Sequence, residues 1–319
     1  MARKSSKSKR RTLIQITAKD FRYPGESNVY WMAMAGVMVL FVWIVGMLLI
    51  FAKQKSGLSQ PLWVLILLYP LFTLYVAGVL SAQAKRAQLK RGGKQARVMP
   101  GTRPELHKRL SRMADLLACK GTPELYILPD QVSYVYSIHG GNGAIITSTA
   151  VENTLTDDEF AAVIAREVAA ISAHNVRTAL MTVWIQSANI ALRILCFPVA
   201  ILALMMRGWQ DLAEFTADRG ALLAVGSEAT LNLAMLKLVI ARDPNADVNQ
   251  EDLEAYLRGP GAMSADGAQL ERHFRIGRFI SEQPNLKERV EQLGEYRKSD
   301  QGTVAFDKLG ELQKTMPLN

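Results

Sequence analysis

Two long apolar stretches separated by a short polar connection dominate the first quarter of the chain. Residues 31–52 (WMAMAGVMVLFVWIVGMLLIFA) and 61–82 (PLWVLILLYPLFTLYVAGVLSA) each run without a charge. About 20 apolar residues in a helix span the hydrocarbon core of a bilayer. The pattern therefore predicts a transmembrane helical hairpin over 29–82, with spans at 31–52 and 61–82. Pro70 falls inside the second run, where a membrane helix tolerates a kink. Tyr30, Trp31 and Trp63 stand near the segment ends, the depth at which amphipathic rings settle.

Beyond residue 103 the apolar positions become periodic. Leu106, Leu110, Met113, Leu116 and Leu117 recur at helical spacing and predict a helix over 104–118. Residues 124–129 (ELYILP) and 132–138 (VSYVYSI) read as strands. His139-Gly140-Gly141-Asn142-Gly143 is a hairpin turn signal, and 144–149 (AIITST) returns as a third strand. These three predict a small antiparallel sheet. Thr156 and Glu159 form a capping box that opens a helix running to about residue 180. Residues 228–240 predict another helix. Residues 243–267 read as loop around one helical run at 250–257, and 306–312 carry weak helical spacing. Together these elements predict an α+β chain, mostly helical, on a membrane anchor. Its parts are a basic N-terminal segment (1–28), the hairpin (29–82), a basic juxtamembrane linker (83–103), a main domain (104–297) and a C-terminal tail (298–319) with no assigned role.

A third apolar stretch, 178–206, is interrupted by Arg193 and Pro198. Each half is short for a span. The pattern predicts a hairpin that dips into or packs along the membrane, with a buried helix pair as the alternative.

Charge changes the picture by its placement. The net charge is +9, and residues 1–28 hold eight Lys/Arg. The connection between the two spans holds only Lys53 and Lys55. After the second span come Lys85, Arg86, Lys90, Arg91, Lys94, Arg97 and Arg103, with no acid among them. The positive-inside rule then places the N-terminus and the main domain on the cytoplasmic face of an inner or plasma membrane. The basic clusters face lipid in this reading, and no nucleic-acid partner is expected. A transit peptide is the competing reading of the start, but the start lacks an amphipathic apolar face. The two cysteines, Cys119 and Cys196, make no disulfide framework.

The ordered set of strand, Gly-rich turn, strand, capping box and acid-bearing helix is followed by Ala213-Glu214-Phe215-Thr216-Ala217-Asp218-Arg219-Gly220 and by Gln283-Pro284-Asn285-Leu286-Lys287-Glu288-Arg289-Val290. In this order, over roughly residues 100–295, the chain resembles the HtpX-like membrane zinc metallopeptidases, the gluzincin group that includes the prenyl-protein proteases. The resemblance implies a helix bearing His-Glu-x-x-His, whose two histidines reach one Zn²⁺ from one helical face. It also implies a later Glu as third zinc ligand, an Asp four residues on, and a zinc-activated water used by the helix Glu.

This chain departs from that pattern. The helix reads Arg166-Glu167-Val168-Ala169-Ala170, so Arg166 and Ala170 stand where the histidines are expected. Arginine cannot give up its proton to become a ligand, and alanine has no donor. Glu167 is left as a vestigial general base, Glu214 as a vestigial ligand and Asp218 behind it. The late histidine is Gln283. Of the histidines, His174 lies roughly 10 Å along the helix from Glu167, too far to share an ion, and His107 is remote in sequence. A site built on His139 or His273 with Glu214 is a minor alternative. Arg166 is expected to fork onto Glu214 or Asp218 in the place of a metal. The resemblance also implies that the strand holding Val132, Ser133, Tyr134, Val135 and Tyr136 can pair with an extended peptide.

The expectation is therefore a catalytically inactive metallopeptidase homologue with no cofactor, zinc being that of the active family. Its partners would be the lipid bilayer and other membrane protein subunits, for which it would act as a structural or regulatory subunit. Two alternatives stand beside it: an active zinc metalloendopeptidase with an atypical or partner-completed site, and a membrane adaptor that holds anionic lipid or nucleic acid through its basic segments.

Overall fold

The computed structural model describes residues 16–54, 95–138, 141–176, 197–241 and 286–315, with a few isolated positions between them. The second predicted span (61–82), residues 178–196 of the third apolar stretch, the 243–267 loop with its 250–257 run, and His139, Cys196, His273 and Gln283 all lie essentially outside these residues.

A short helix α1 (Ala18–Phe21) is opened by a Thr17/Asp20 capping box and leads into α2 (Glu26–Gln54). Its stretch Glu26–Met47 is long and apolar enough to cross a membrane, and little of it is covered by protein. The helix begins five residues before the predicted span because Glu26 docks on Thr216, which extends the apolar run into a buried polar root. Helix α3 (Pro104–Leu116) follows, with Pro104 at its first turn, where a missing N–H costs nothing.

The sheet holds β1 (Glu124–Leu128), β2 (Val135–Ile138) and β3 (Ala144–Ser148) in the order β1-β3-β2. It is mixed, which corrects the antiparallel expectation. β2 and β3 form the predicted antiparallel hairpin, but β1 runs parallel to β3. All five β3 residues are buried, so this strand takes the centre, with β1 and β2 on either side of it. β2 also starts later than the predicted residue 132. Asp130 accepts the Val132 N–H at 3.1 Å, and this Asx turn leaves Val132 exposed and Ser133 buried ahead of the strand. Residues 96–98 close the far edge of β1: Val98 N–H donates to Leu125 and Ile127 N–H donates to Ala96, both at 2.8 Å. Among the described residues β2 has no strand on its outer side.

A Ser148-capped helix, α4 (Thr149–Thr154), precedes the central α5 (Asp157–Ser172). The capping box is present: the Glu159 N–H donates to Thr156 Oγ1 at 3.4 Å, and the Thr156 N–H donates to Glu159 Oε2 at 2.8 Å. Lys237 donates to both Glu159 oxygens at 2.8 and 2.9 Å. α5 stops at Ser172, short of residue 180, because His174 turns left-handed (φ 64) and closes the helix end as a C′ residue does.

Helix α6 (Phe197–Met205) packs on α2; it is the described part of the third apolar stretch. Helix α7 (Arg207–Val225) ends on Gly226 in the left-handed region. α8 (Glu228–Ala241), α9 (Leu286–Lys298) and α10 (Asp300–Thr315) complete the fold. The weak spacing at 306–312 thus belongs to a full helix, whose Ala305, Leu309 and Leu312 enter the core beside Ile16 and Phe21 from the chain start. α5 and α7 cross at their closest where Ala169 faces Gly220. A Cβ on Gly220 would sit 2.5 Å from that of Ala169, so the crossing requires a residue with none.

Candidate functional site

The α5–α7 crossing brings the sequence-predicted residues together. Arg166 and Glu167 come from α5. Glu214 and Asp218, four residues apart and so on one face of α7, come from the partner helix. Arg166 Nε donates to Asp218 Oδ1 at 2.9 Å, Nη1 lies 3.4 Å from Glu167 Oε1, and Nη2 pairs with Glu214. The guanidinium thus forks onto both α7 acids, as its placement leads one to expect. Ala170, one turn on, presents only a methyl group to the half-buried surface.

A second cation, not foreseen as part of the site, completes the arrangement. Arg289 of α9 donates from Nε to Asp218 Oδ2 at 2.7 Å and from Nη2 to Oδ1 at 2.6 Å. Its place in the 283–290 segment was the available signal, but nothing in the spacing said which acid it would meet. The site grades from sealed to open: the side chains of Asp218 and Arg289 are 1% and 5% exposed, Arg166 12% and Glu214 28%.

The electrostatics follow from this packing. Burial pushes the Asp218 carboxyl up, but Arg289 and then Arg166 outweigh it and hold the group below its ordinary range. Burial, together with repulsion from Arg289, lowers Arg166 from its ordinary value, against the pull of Asp218 and Glu167. Two cations against three acids is close to balance, which is what a desolvated cluster requires.

The described residues at this crossing do not fit a zinc ion. A guanidinium offers only donors, and here it occupies the meeting point of Glu167, Glu214 and Asp218. Among the described residues no group of three or more His, Cys, Asp or Glu side chains is arranged to hold a metal. Of the histidines, His174 points its ring back onto Ile171 O at 3.2 Å at the end of α5, and His107 sits on α3. The predicted peptide-pairing residues divide: Val135 and Tyr136 lie on β2, with the Tyr134 ring tilted against that of Tyr136 at 5.9 Å between centroids, while Val132 and Ser133 belong to the turn before it.

No curated protein and no solved structure is matched by the chain. The family model of Peptidase family M48 matches residues 100–297, more than half of the chain, and spans every residue of the Arg166 centre. By that match, the chain belongs to peptidase family M48.

Proposed function

We propose that this M48-family chain is a membrane-anchored pseudopeptidase, a structural or regulatory subunit that holds protein partners in a membrane complex without cutting them. One observation carries the reading: the Arg166 guanidinium binds Glu214, Asp218 and Glu167, the acids that would otherwise serve a metal and its water. Without a Lewis acid, a water keeps a pKa far above neutrality, and Glu167 has no activated nucleophile to use. α2 would anchor the chain, with the main domain on the cytoplasmic face. The absence of a strand beyond β2 among the described residues supports a protein partner that adds an extended segment.

The test is the zinc content of the detergent-purified full chain, with casein cleavage by the native chain and by Glu167→Gln. A zinc ratio near zero and no Glu167-dependent cleavage are expected. A ratio near one with cleavage lost in Glu167→Gln would overturn the reading in favour of an active peptidase whose ligands come from other residues.

A further inference from the structure

Arg219 follows Asp218 on α7 but serves a different assembly. Its guanidinium lies between two rings, 4.4 Å from the centroid of Tyr23 and 4.7 Å from that of Tyr296, and the residue is only 6% exposed. A desolvated cation between aromatic faces is held by the ring quadrupoles. The two rings come from opposite ends of the chain, Tyr23 just before α2 and Tyr296 in α9.

Around this sandwich the chain ends are tied together. Tyr296 Oη donates to Asp20 O at 3.0 Å. Gln301 Nε2 donates to Lys19 O and to Arg22 O, both at 3.0 Å. Lys308 of α10 pairs with Asp20. From the other side, the Tyr23 N–H donates to Thr216 Oγ1 at 2.9 Å, and the Thr216 hydroxyl meets Glu26, the first residue of α2. The root of α2 is therefore held by the α7 run 216–219 and by the C-terminal helices. Residues 19–26 and all of α10 lie outside the family match, while Thr216, Arg219 and Tyr296 lie within it.

We infer that α10 and residues 17–26 form a buckle that fixes the root of α2 to α7, and that it couples the setting of α2 to the Arg166–Asp218 centre through the single helical turn Thr216–Arg219. Asp218 carries the ion centre, while Thr216 and Arg219 on the same turn carry the buckle. A hydrogen-bonded helical turn moves as a unit, so a shift of the α2 root displaces Asp218 against Arg166 and Arg289. The inference stands independently of whether the centre is inactive.

The test is hydrogen exchange on the full chain in detergent, with Gln301→Ala and, separately, Lys308→Glu. Gln301→Ala removes three hydrogen bonds, those to Lys19 O and Arg22 O and the one Oε1 accepts from Arg219 Nη1 at 3.4 Å, and the expected result is exchange about 5- to 30-fold faster at residues 18–26 and 214–222, with the sheet (124–148) unchanged. Lys308→Glu should give the same pattern. Unchanged exchange at 18–26 would overturn the buckle. A rise at 18–26 without one at 214–222 would overturn the coupling. An equal rise in the sheet would reduce α10 to ordinary core packing and overturn both.

Discussion

Arg289 grips both oxygens of Asp218, at 2.7 and 2.6 Å, in a pair from which solvent is almost wholly excluded. Breaking a buried pair from one side leaves an uncompensated charge. Arg289→Met is expected to lower the unfolding free energy by about 3–5 kcal/mol. Arg289→Lys, which keeps the charge but loses the fork, should recover only part of it. Denaturant midpoints of the detergent-solubilised chain measure both; an unchanged midpoint in Arg289→Met would contradict the structure.

The same carboxylate sets an acid limit. Asp218 is held below its ordinary value of 3.8 in the folded chain, so the unfolded chain binds that proton more readily. The stabilisation is full above the unfolded value and is lost as pH falls through the lower folded value. Asp20 acts in the same direction: burial raises it, but its bonds to Lys308 and Thr17 bring it below 3.8. Stability measured against pH should therefore fall below about pH 4. In Asp218→Asn, a less stable chain, that acid slope should be shallower; an equal slope would remove Asp218 as its source.

Arg166→His with Ala170→His places two imidazoles four residues apart on α5, facing Glu214. The pair should take up about one zinc per chain by elemental analysis, where the native chain is expected to take none. Neither single substitution should suffice, since a three-ligand zinc site of two histidines and a glutamate needs its full donor set. Failure of the pair would mean that this crossing does not preserve the family's metal frame.

Gly220→Val puts a branched side chain where even a Cβ lies 2.5 Å from Ala169. The helices must part or the rotamers strain, at about 1–3 kcal/mol. Thermal unfolding should show the loss, and Ala169→Gly in the same chain should return part of it.

Thr156→Ala removes the hydroxyl that caps α5 and leaves Glu159 held by Lys237. The expected loss is about 1 kcal/mol, read from the denaturant midpoint, and Thr156→Ser should be close to native.

Much of this was legible in the chain itself. The apolar run of α2, the pairing of β2 with β3 and the Thr156/Glu159 box rest on local patterns, while the fork of Arg166 onto Asp218, 52 positions away, was legible only through the family resemblance. What was not legible depends on long-range pairing. Whether β1 ran parallel or antiparallel was decided by which strand took the buried centre. Arg289 meets Asp218 across 71 positions, and Gln301 meets Lys19 across 282, distances at which spacing carries no signal. The tail gave only faint periodicity because Gly302 and Gly310 break its apolar face, yet it packs on α1, α9 and α7.

Among the described residues the sheet is closed at β1 by residues 96–98 and carries no strand beyond β2, a valence of one. Two copies joined through β2 would use up both free edges and stop as a pair, since among the described residues neither has a second edge to offer. A foreign strand bound there would equally terminate the sheet. Edge-to-edge growth into a fibre needs two free edges per molecule, and the described residues offer one, a geometry suited to capping by a single strand and not to polymer growth.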